Sequence, residues 1–409
     1  MFIKASLLSV AAFTVVVSAT PVLVPRTTYN MALTKHLNAT GFANMVAVGR
    51  ARAKAFRDGT YGVRSRANDK RDDNEDATND VVTYTASVGV GADDEQYDLI
   101  IDTGSSNTWV GADKTYTETS TSSDTGEQVS VTYGSGSFSG TEYIDEVTIT
   151  SDLIVTKQSI GVASESSDFT GYDGILGIGP TDLTEGTLSD SDAEIPTVAD
   201  NLYSQGTISE EVIGIFFEPT DEVDVENGVL TWGGTDDSLY TGDITYTSIT
   251  STYPSDYYWG IDQTIEYGST TILSTTAGIV DTGTTLLYIA TNAYDAYVEA
   301  TGATYDEDTG LLKISSSGYD ELESLIFTIG GTAFEFTANA QIWPRALNED
   351  IGGSADSIYL VVADIGTDSG SGLDFIDGYV FLERFYSVFD TTNSRVGFAE
   401  TSYTSSTLN

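Results

Sequence analysis

The tripeptide Asp-Thr-Gly occurs twice, at Asp102-Thr103-Gly104 and Asp281-Thr282-Gly283, 179 residues apart. Each copy closes an apolar, strand-forming run: Tyr97-Asp98-Leu99-Ile100-Ile101 before the first, Ala277-Gly278-Ile279-Val280 before the second. Each is followed by hydroxyl residues and then apolar ones, Ser105-Ser106-Asn107-Thr108-Trp109-Val110 and Thr284-Thr285-Leu286-Leu287-Tyr288-Ile289. Two similar halves that each deliver a carboxylate from the end of a strand point to one shared site on a pseudo-twofold axis. Further downstream the halves repeat again, as Tyr172-Asp173-Gly174-Ile175-Leu176-Gly177 and Phe375-Ile376-Asp377-Gly378-Tyr379-Val380. Apolar runs around Gly mark strands that pass close to another backbone.

Composition narrows the chemistry to carboxylates. There is no Cys, and the one His is His36. Thiolate nucleophiles, disulfides and Cys-based zinc sites are excluded, and so are metal sites built from several imidazoles. What remains for acid–base work is 62 Asp and Glu, the tyrosines and 17 Lys and Arg. The body is rich in Gly, Ser, Thr and Tyr, with short alternating segments such as Val81–Val88 between turn clusters. That pattern predicts an all-β chain with many turns.

The first seventy residues differ from the rest. A cationic start, Met1-Phe2-Ile3-Lys4, precedes an apolar run from Ala5 to Val17 and a small-residue cleavage site ending at Ala19. This reads as a secretory signal peptide, and the run falls short of the ~20 apolar residues that a membrane span needs. The chain is therefore expected to be secreted and extracellular, with no membrane partner. From residue 20 to the dibasic pair Lys70-Arg71 there are ten Lys or Arg against two acids, and beyond it six against sixty. A basic segment ahead of a strongly anionic body reads as a prosegment held on by opposite charge near neutral pH. A nucleic-acid-binding tail is the rival reading. Export and a body that repels phosphate speak against it. The sequon Asn38-Ala39-Thr40 lies in this removable part.

One element is not repeated. Val131-Thr132-Tyr133-Gly134-Ser135-Gly136-Ser137-Phe138-Ser139-Gly140 reads as a β-hairpin with a small tip, its Gly134 and Gly136 allowing positive φ in the turn. A mobile hairpin with an aromatic at its base suits closure over an extended substrate.

Taken in order, these motifs resemble the pepsin-like family of aspartic endopeptidases, particularly its secreted fungal members. The resemblance runs through residues 80–403 and includes the stretch from Phe381 to Asp390 and Arg395-Val396-Gly397-Phe398-Ala399. It implies a bilobal pepsin-like fold with a central cleft: signal peptide 1–19, basic prosegment 20–71, N-terminal catalytic lobe with flap 72–235 and C-terminal catalytic lobe 236–409. It implies catalytic Asp102 and Asp281 at the cleft floor, with Thr103 and Thr282 interlocking the two loops. Gly104 and Gly283 would let backbone amides approach the carboxylates, and Ser105 and Thr284 would donate to the outer carboxylate oxygens. Tyr133, with Gly134 and Ser135 on the flap, would hydrogen-bond Trp109 and cover the scissile bond. Ile100, Phe169, Tyr172 and Tyr133 would form apolar walls, favouring bulky apolar residues at the cleaved bond. Ser135 supplies no counter-charge for Lys, so cleavage after Lys is expected to be poor. No metal or cofactor is implied. The expected partners are polypeptide substrates and the chain's own prosegment, and the expected state is a monomer. Ala53-Lys54-Ala55-Phe56 resembles the prosegment stretch whose Lys meets the catalytic carboxylates, with Ala55 where that stretch usually has Tyr; Lys54 is thus either the blocking cation or one more solvated or body-docked charge.

Two other functions compete. One is a pepsin-fold binding protein without activity. The other is a glycosidase, whose paired carboxyls stand about 5 Å or more apart. Asp377 departs from the family pattern, standing where the first half has Leu176. It is expected either to find polar partners or to be a protonated carboxyl near the dyad.

Overall fold

The computed structural model describes residues 27–37, 45–61, 82–134, 136–190 and 192–409. Ala19, Lys70, Arg71, Ser135 and the Asn38 sequon lie outside them. Strands dominate the described residues, as the alternating sequence predicts. Ser137–Thr150, for example, alternates buried and half-buried residues along its length, as a strand with one face in the core does. By contrast Gly174–Gly177, Leu287–Ile289 and Phe375–Asp377 are buried at every position, so their side chains are apolar on both faces with Asp377 the exception.

The two halves build the same local device. In the first, Glu95–Asp102 runs parallel to Gly174–Gly177, which pairs antiparallel with Thr108–Val110. In the second, Thr270–Val280 runs parallel to Phe375–Asp377, which pairs antiparallel with Leu287–Ile289. Ile101 faces Leu176 and Val280 faces Asp377, so Leu176 and Asp377 occupy equivalent places. The glycines that follow are required by close approach. A Cβ on Gly177 would lie 2.5 Å from the Ser106 carbonyl carbon, and one on Gly378 would lie 2.3 Å from the Leu286 oxygen.

A seven-stranded sheet belongs to the second half. A thirteen-stranded sheet joins the halves and carries an N-terminal strand, β1 (Tyr29–Leu37), in its middle. On one side β1 pairs with Val225–Trp232 and on the other with Val82–Val90, antiparallel to both. A helix, α1 (Met45–Arg57), follows it. One hydrophobic cluster runs through both lobes and includes Leu33, Met45, Phe56 and Tyr61 of this N-terminal segment.

Candidate active site

Asp102 ends the strand Glu95–Asp102, and Asp281 directly follows the strand Thr270–Val280. Both are at most 1% exposed. The neighbouring threonines cross-brace the two loops. Thr103 donates its backbone N–H to Thr282 Oγ1 (3.0 Å) and its hydroxyl to the Val280 carbonyl (3.1 Å). Thr282 returns the pair, N–H to Thr103 Oγ1 at 3.0 Å and hydroxyl to the Ile101 carbonyl at 2.8 Å. Each carboxylate receives matching donors. The Gly104 and Gly283 amides donate to the Oδ1 atoms at 2.9 and 3.1 Å. Ser105 Oγ donates to Asp102 Oδ2, and Thr284 Oγ1 donates to Asp281 Oδ2 at 2.6 Å. Eight hydroxyl and amide donations thus fix two acidic side chains on a symmetric platform.

A cation sits between them, and it is Arg52 of α1. Its Nη2 donates to Asp102 Oδ1 at 2.6 Å and to Asp281 Oδ1 at 2.9 Å, and its Nε donates to Asp281 Oδ2 at 2.7 Å. One planar guanidinium reaches both carboxylates, so the two acids face a common point. Tyr61 donates its hydroxyl to Asp102 Oδ2 at 3.1 Å, and its ring lies 4.3 Å from the Arg52 guanidinium carbon. Phe56 packs on Tyr61 and on Tyr258 across the cleft. Burial pushes the Asp281 carboxyl up from its ordinary pKa; Arg52 opposes the shift and the Asp102 charge adds to it. For Arg52, burial works against its charge, but the two carboxylates outweigh burial and hold it well above the usual arginine range.

Of the two readings of Lys54, the solvated charge holds and the blocking cation does not. Its ammonium is exposed and pairs with Asp58, just past the end of α1, at 2.9 Å. The helical period would have identified Arg52, because it lies three, four and seven residues after Gly49, Val48 and Met45, on the buried stripe. Lys54 projects from the opposite side. Tyr61 carried no comparable sequence signal.

The flap hairpin forms as read, from Ser123–Thr132 and Ser137–Thr150. Gly134 serves a different purpose from a turn glycine, since its φ is not positive. A Cβ on Gly134 would lie 2.4 Å from Arg52 Cα, so the hairpin closes directly on the helix. Tyr133 stacks near Trp109, with centroids 6.5 Å apart, and meets Phe169 and Tyr61 edge-on. The expected Tyr133–Trp109 contact is present but loose: Trp109 and Ser105 both offset the rise that burial gives the Tyr133 hydroxyl, though neither reaches strict hydrogen-bond geometry. Ring packing holds the pair, and Phe169 completes the cluster edge-on to Trp109, with ring centroids 4.8 Å apart. Ile100 is buried between Thr85 and Ile175 in the strand that leads to Asp102. Tyr172 is buried against His36 of β1.

Asp377 is fully buried. Its backbone carbonyl accepts the Asp281 N–H at 3.2 Å, and its Oδ1 accepts from Gln263 Nε2 at 3.1 Å. Both readings of this residue therefore hold in part: it has one polar partner, and burial drives its carboxyl up to about 8.

Residues 83–401 match the family described as eukaryotic aspartyl protease. The chain belongs to that family. Among relatives of this aspartyl protease is polyporopepsin of Irpex lacteus, 63% identical over 81% of the chain and 98% of the relative. Gastricsin of Cavia porcellus is 33% identical over 77% of the chain and 79% of its own length. Pepsin A of Sus scrofa is 31% identical over 77% and 80%. The crystal structure of the aspartic proteinase from Irpex lacteus superposes with a TM-score of 0.81 at 54% identity, covering 94% of this chain and all of that one. This aspartyl protease is an aspartic endopeptidase, a hydrolase of polypeptides with the pepsin-like fold. Among the described residues no helix is long and apolar enough to cross a membrane.

Proposed function

We propose that this endopeptidase is made as a secreted zymogen that works in acid, with Asp102 and Asp281 as its catalytic pair. The observation that carries the reading is the Arg52 guanidinium bonded to both carboxylates. Two carboxyls about 3 Å apart resist double ionisation and hold one proton between them, and the aspartic proteases are themselves the worked instance of that rule. With Arg52 gone, the ionised member takes a proton from a water between the two as the water oxygen bonds to the peptide carbonyl carbon. The protonated member donates to the carbonyl oxygen as the carbon becomes tetrahedral, and the proton taken from water passes to the nitrogen as the C–N bond breaks. Thr103, Gly104, Ser105, Thr282, Gly283 and Thr284 hold the pair in place through their hydrogen bonds. Tyr133, Gly134 and Ser135 close over substrate, with Trp109 and Phe169 supporting the flap. Ile100 and Tyr172 contribute apolar bulk on the same lobe, in keeping with cleavage between bulky apolar residues.

Residues 20–71 serve as the intramolecular inhibitor. Arginine does not lose its proton in any accessible range, so release depends on protonating the carboxylates that hold it. Asp281, already pushed up by burial, is the natural first site. The sixty acids of the body lose charge over the same range and loosen their hold on the ten bases of the prosegment.

The test is an acid assay of the purified chain on denatured protein. Asp102→Asn and Asp281→Asn are each expected to lower kcat by about 10²–10⁴-fold, the range a general acid or base contributes. Wild-type activity should appear only after acidification. Full activity of either variant, or a maximum at pH 7 or above, would sink the reading.

A further inference from the structure

The pseudo-symmetry breaks at one buried point, where the first half has Leu176 and the second has Asp377. The Asp377 carboxyl is 0% exposed and takes a single hydrogen bond, from Gln263 Nε2, a side chain 1% exposed. The other atom of each group, Asp377 Oδ2 and Gln263 Oε1, is buried without a partner. Both are acceptors when the acid is ionised, so neither can satisfy the other. A proton on Oδ2 turns one of the two acceptors into the donor that the other lacks. One proton thus removes both defects and also spares the pair a buried charge.

We propose that Asp377 is a positioning residue for Asp281 and works as the neutral acid, closing a ring of two hydrogen bonds with the Gln263 carboxamide. The ring ties the strand Gly260–Tyr267 to Phe375–Asp377 across Thr270–Val280, the strand that ends at the Asp281 loop. The Asp377 carbonyl then receives the Asp281 N–H. Displacing this support displaces Asp281, and errors near 1 Å in a reacting group can cost about 10²-fold in rate. The titratable groups on the surrounding elements are Asp281, Asp262, Glu266 and Tyr267 on the strand of Gln263, Tyr288 on Leu287–Ile289, Asp374 ahead of Asp377, and Tyr379 and Glu383 after it. The balance at Asp377 is set instead by burial, which raises its pKa, against the Gln263 bond, which lowers it. The native state therefore binds one more proton here than the unfolded chain from about pH 4 to about pH 8.

The role rests on Asp281 being catalytic, but the protonation does not, and the two are tested separately. Folded full-length chain is compared with Asp377→Asn, which keeps the ring with an amide donor and cannot titrate. The infrared difference spectrum at pH 6 is expected to show a protonated-carboxyl stretch present only in the wild type. Between pH 5 and 7 the wild-type unfolding constant should rise about tenfold more per pH unit than that of the variant. No such band together with parallel pH slopes would overturn the neutral acid. In the acid-activated enzyme, Asp377→Leu, copying the first half, is expected to lower kcat more than tenfold with KM within about threefold, and Asp377→Asn to retain the activity that Leu loses. Gln263→Leu removes the ring without touching the strand Phe375–Asp377, and should reproduce the kcat loss if Asp377→Leu does not fold. Equal kcat for the Asn and Leu variants, or for Gln263→Leu and wild type, would reduce Asp377 to a packing residue.

Discussion

At the scale of single residues, two buried acids share one cation, Arg52, and the proposed function rests on them. Asp102 and Asp281 were legible because their chemistry is written locally: an apolar strand, an acid, then small and hydroxyl residues to cradle it. Arg52 was not, because a four-residue likeness drew attention to Lys54 while the periodicity of α1 pointed three-dimensionally elsewhere. The two positions give opposite expectations. Arg52→Ala strands two buried carboxylates without their cation, a change that costs about 3–5 kcal/mol in comparable buried pairs. The precursor should then need milder acid than wild type before it cleaves substrate, and its N-terminal segment should become sensitive to added protease at neutral pH. Lys54→Ala removes an exposed pair with Asp58, worth about 0.2–1 kcal/mol at most, and should leave latency unchanged. A precursor with Arg52→Ala that needs the same acid exposure as wild type before it becomes active would show that α1 blocks the cleft by bulk alone.

At the scale of elements, hairpins and glycine strands could be read from period-2 patterns, but the reason for particular glycines could not. Gly134 looked like a turn residue; its actual constraint is the backbone of Arg52, which belongs to a helix far away in sequence. The pairing of β1 was likewise invisible, since nothing local in Tyr29–Leu37 names Val225–Trp232 as its neighbour. That strand brings a second buried ion pair. Lys35 Nζ lies 2.7 Å from Glu383 Oε1, both side chains at most 5% exposed, and Tyr84 donates to the same oxygen at 3.0 Å. Lys35→Ala is expected to weaken the docking of β1 by about 3–5 kcal/mol, because Glu383 would be left buried without its cation. Adding Glu383→Gln should restore part of the loss. Limited proteolysis of the 27–61 region, compared across the three chains, reads this directly; equal resistance in all three would count against it.

At the scale of the whole molecule, charge and burial set the pH range together. Burial drives Glu142 up to about 7, and Glu211 and Asp377 up to about 8, with Asp200 adding to the shift at Glu211. A carboxyl raised on folding contributes stability that is complete below its unfolded pKa and is lost as pH climbs through its folded one. The window here runs from about pH 4 to about pH 8, at up to about 1.4 kcal/mol per pH unit for each fully engaged group, less for the half-exposed Glu211. Beyond Arg71 six bases against sixty acids leave a formal charge of about −54 at neutrality, which acts in the same direction. Chemical denaturation of the activated enzyme is expected to show falling stability from pH 4 to 8; a maximum at pH 7 or above would contradict it. The acidic body and the basic leader were plain from composition. Which carboxyls are entombed was plain only in part: Asp377 stood out at the place of Leu176, but Glu142 looks like any other acid in a chain with so many. The central place of β1 has a mechanical corollary. It is laced to a strand on either side, so it is a plank in the floor rather than a cork in the neck. Cutting the chain after Arg71 would sever the covalent link and still leave the plank nailed down. Scission and departure are therefore separate events, and a nicked precursor should run as one particle on a native column and as two bands once denatured.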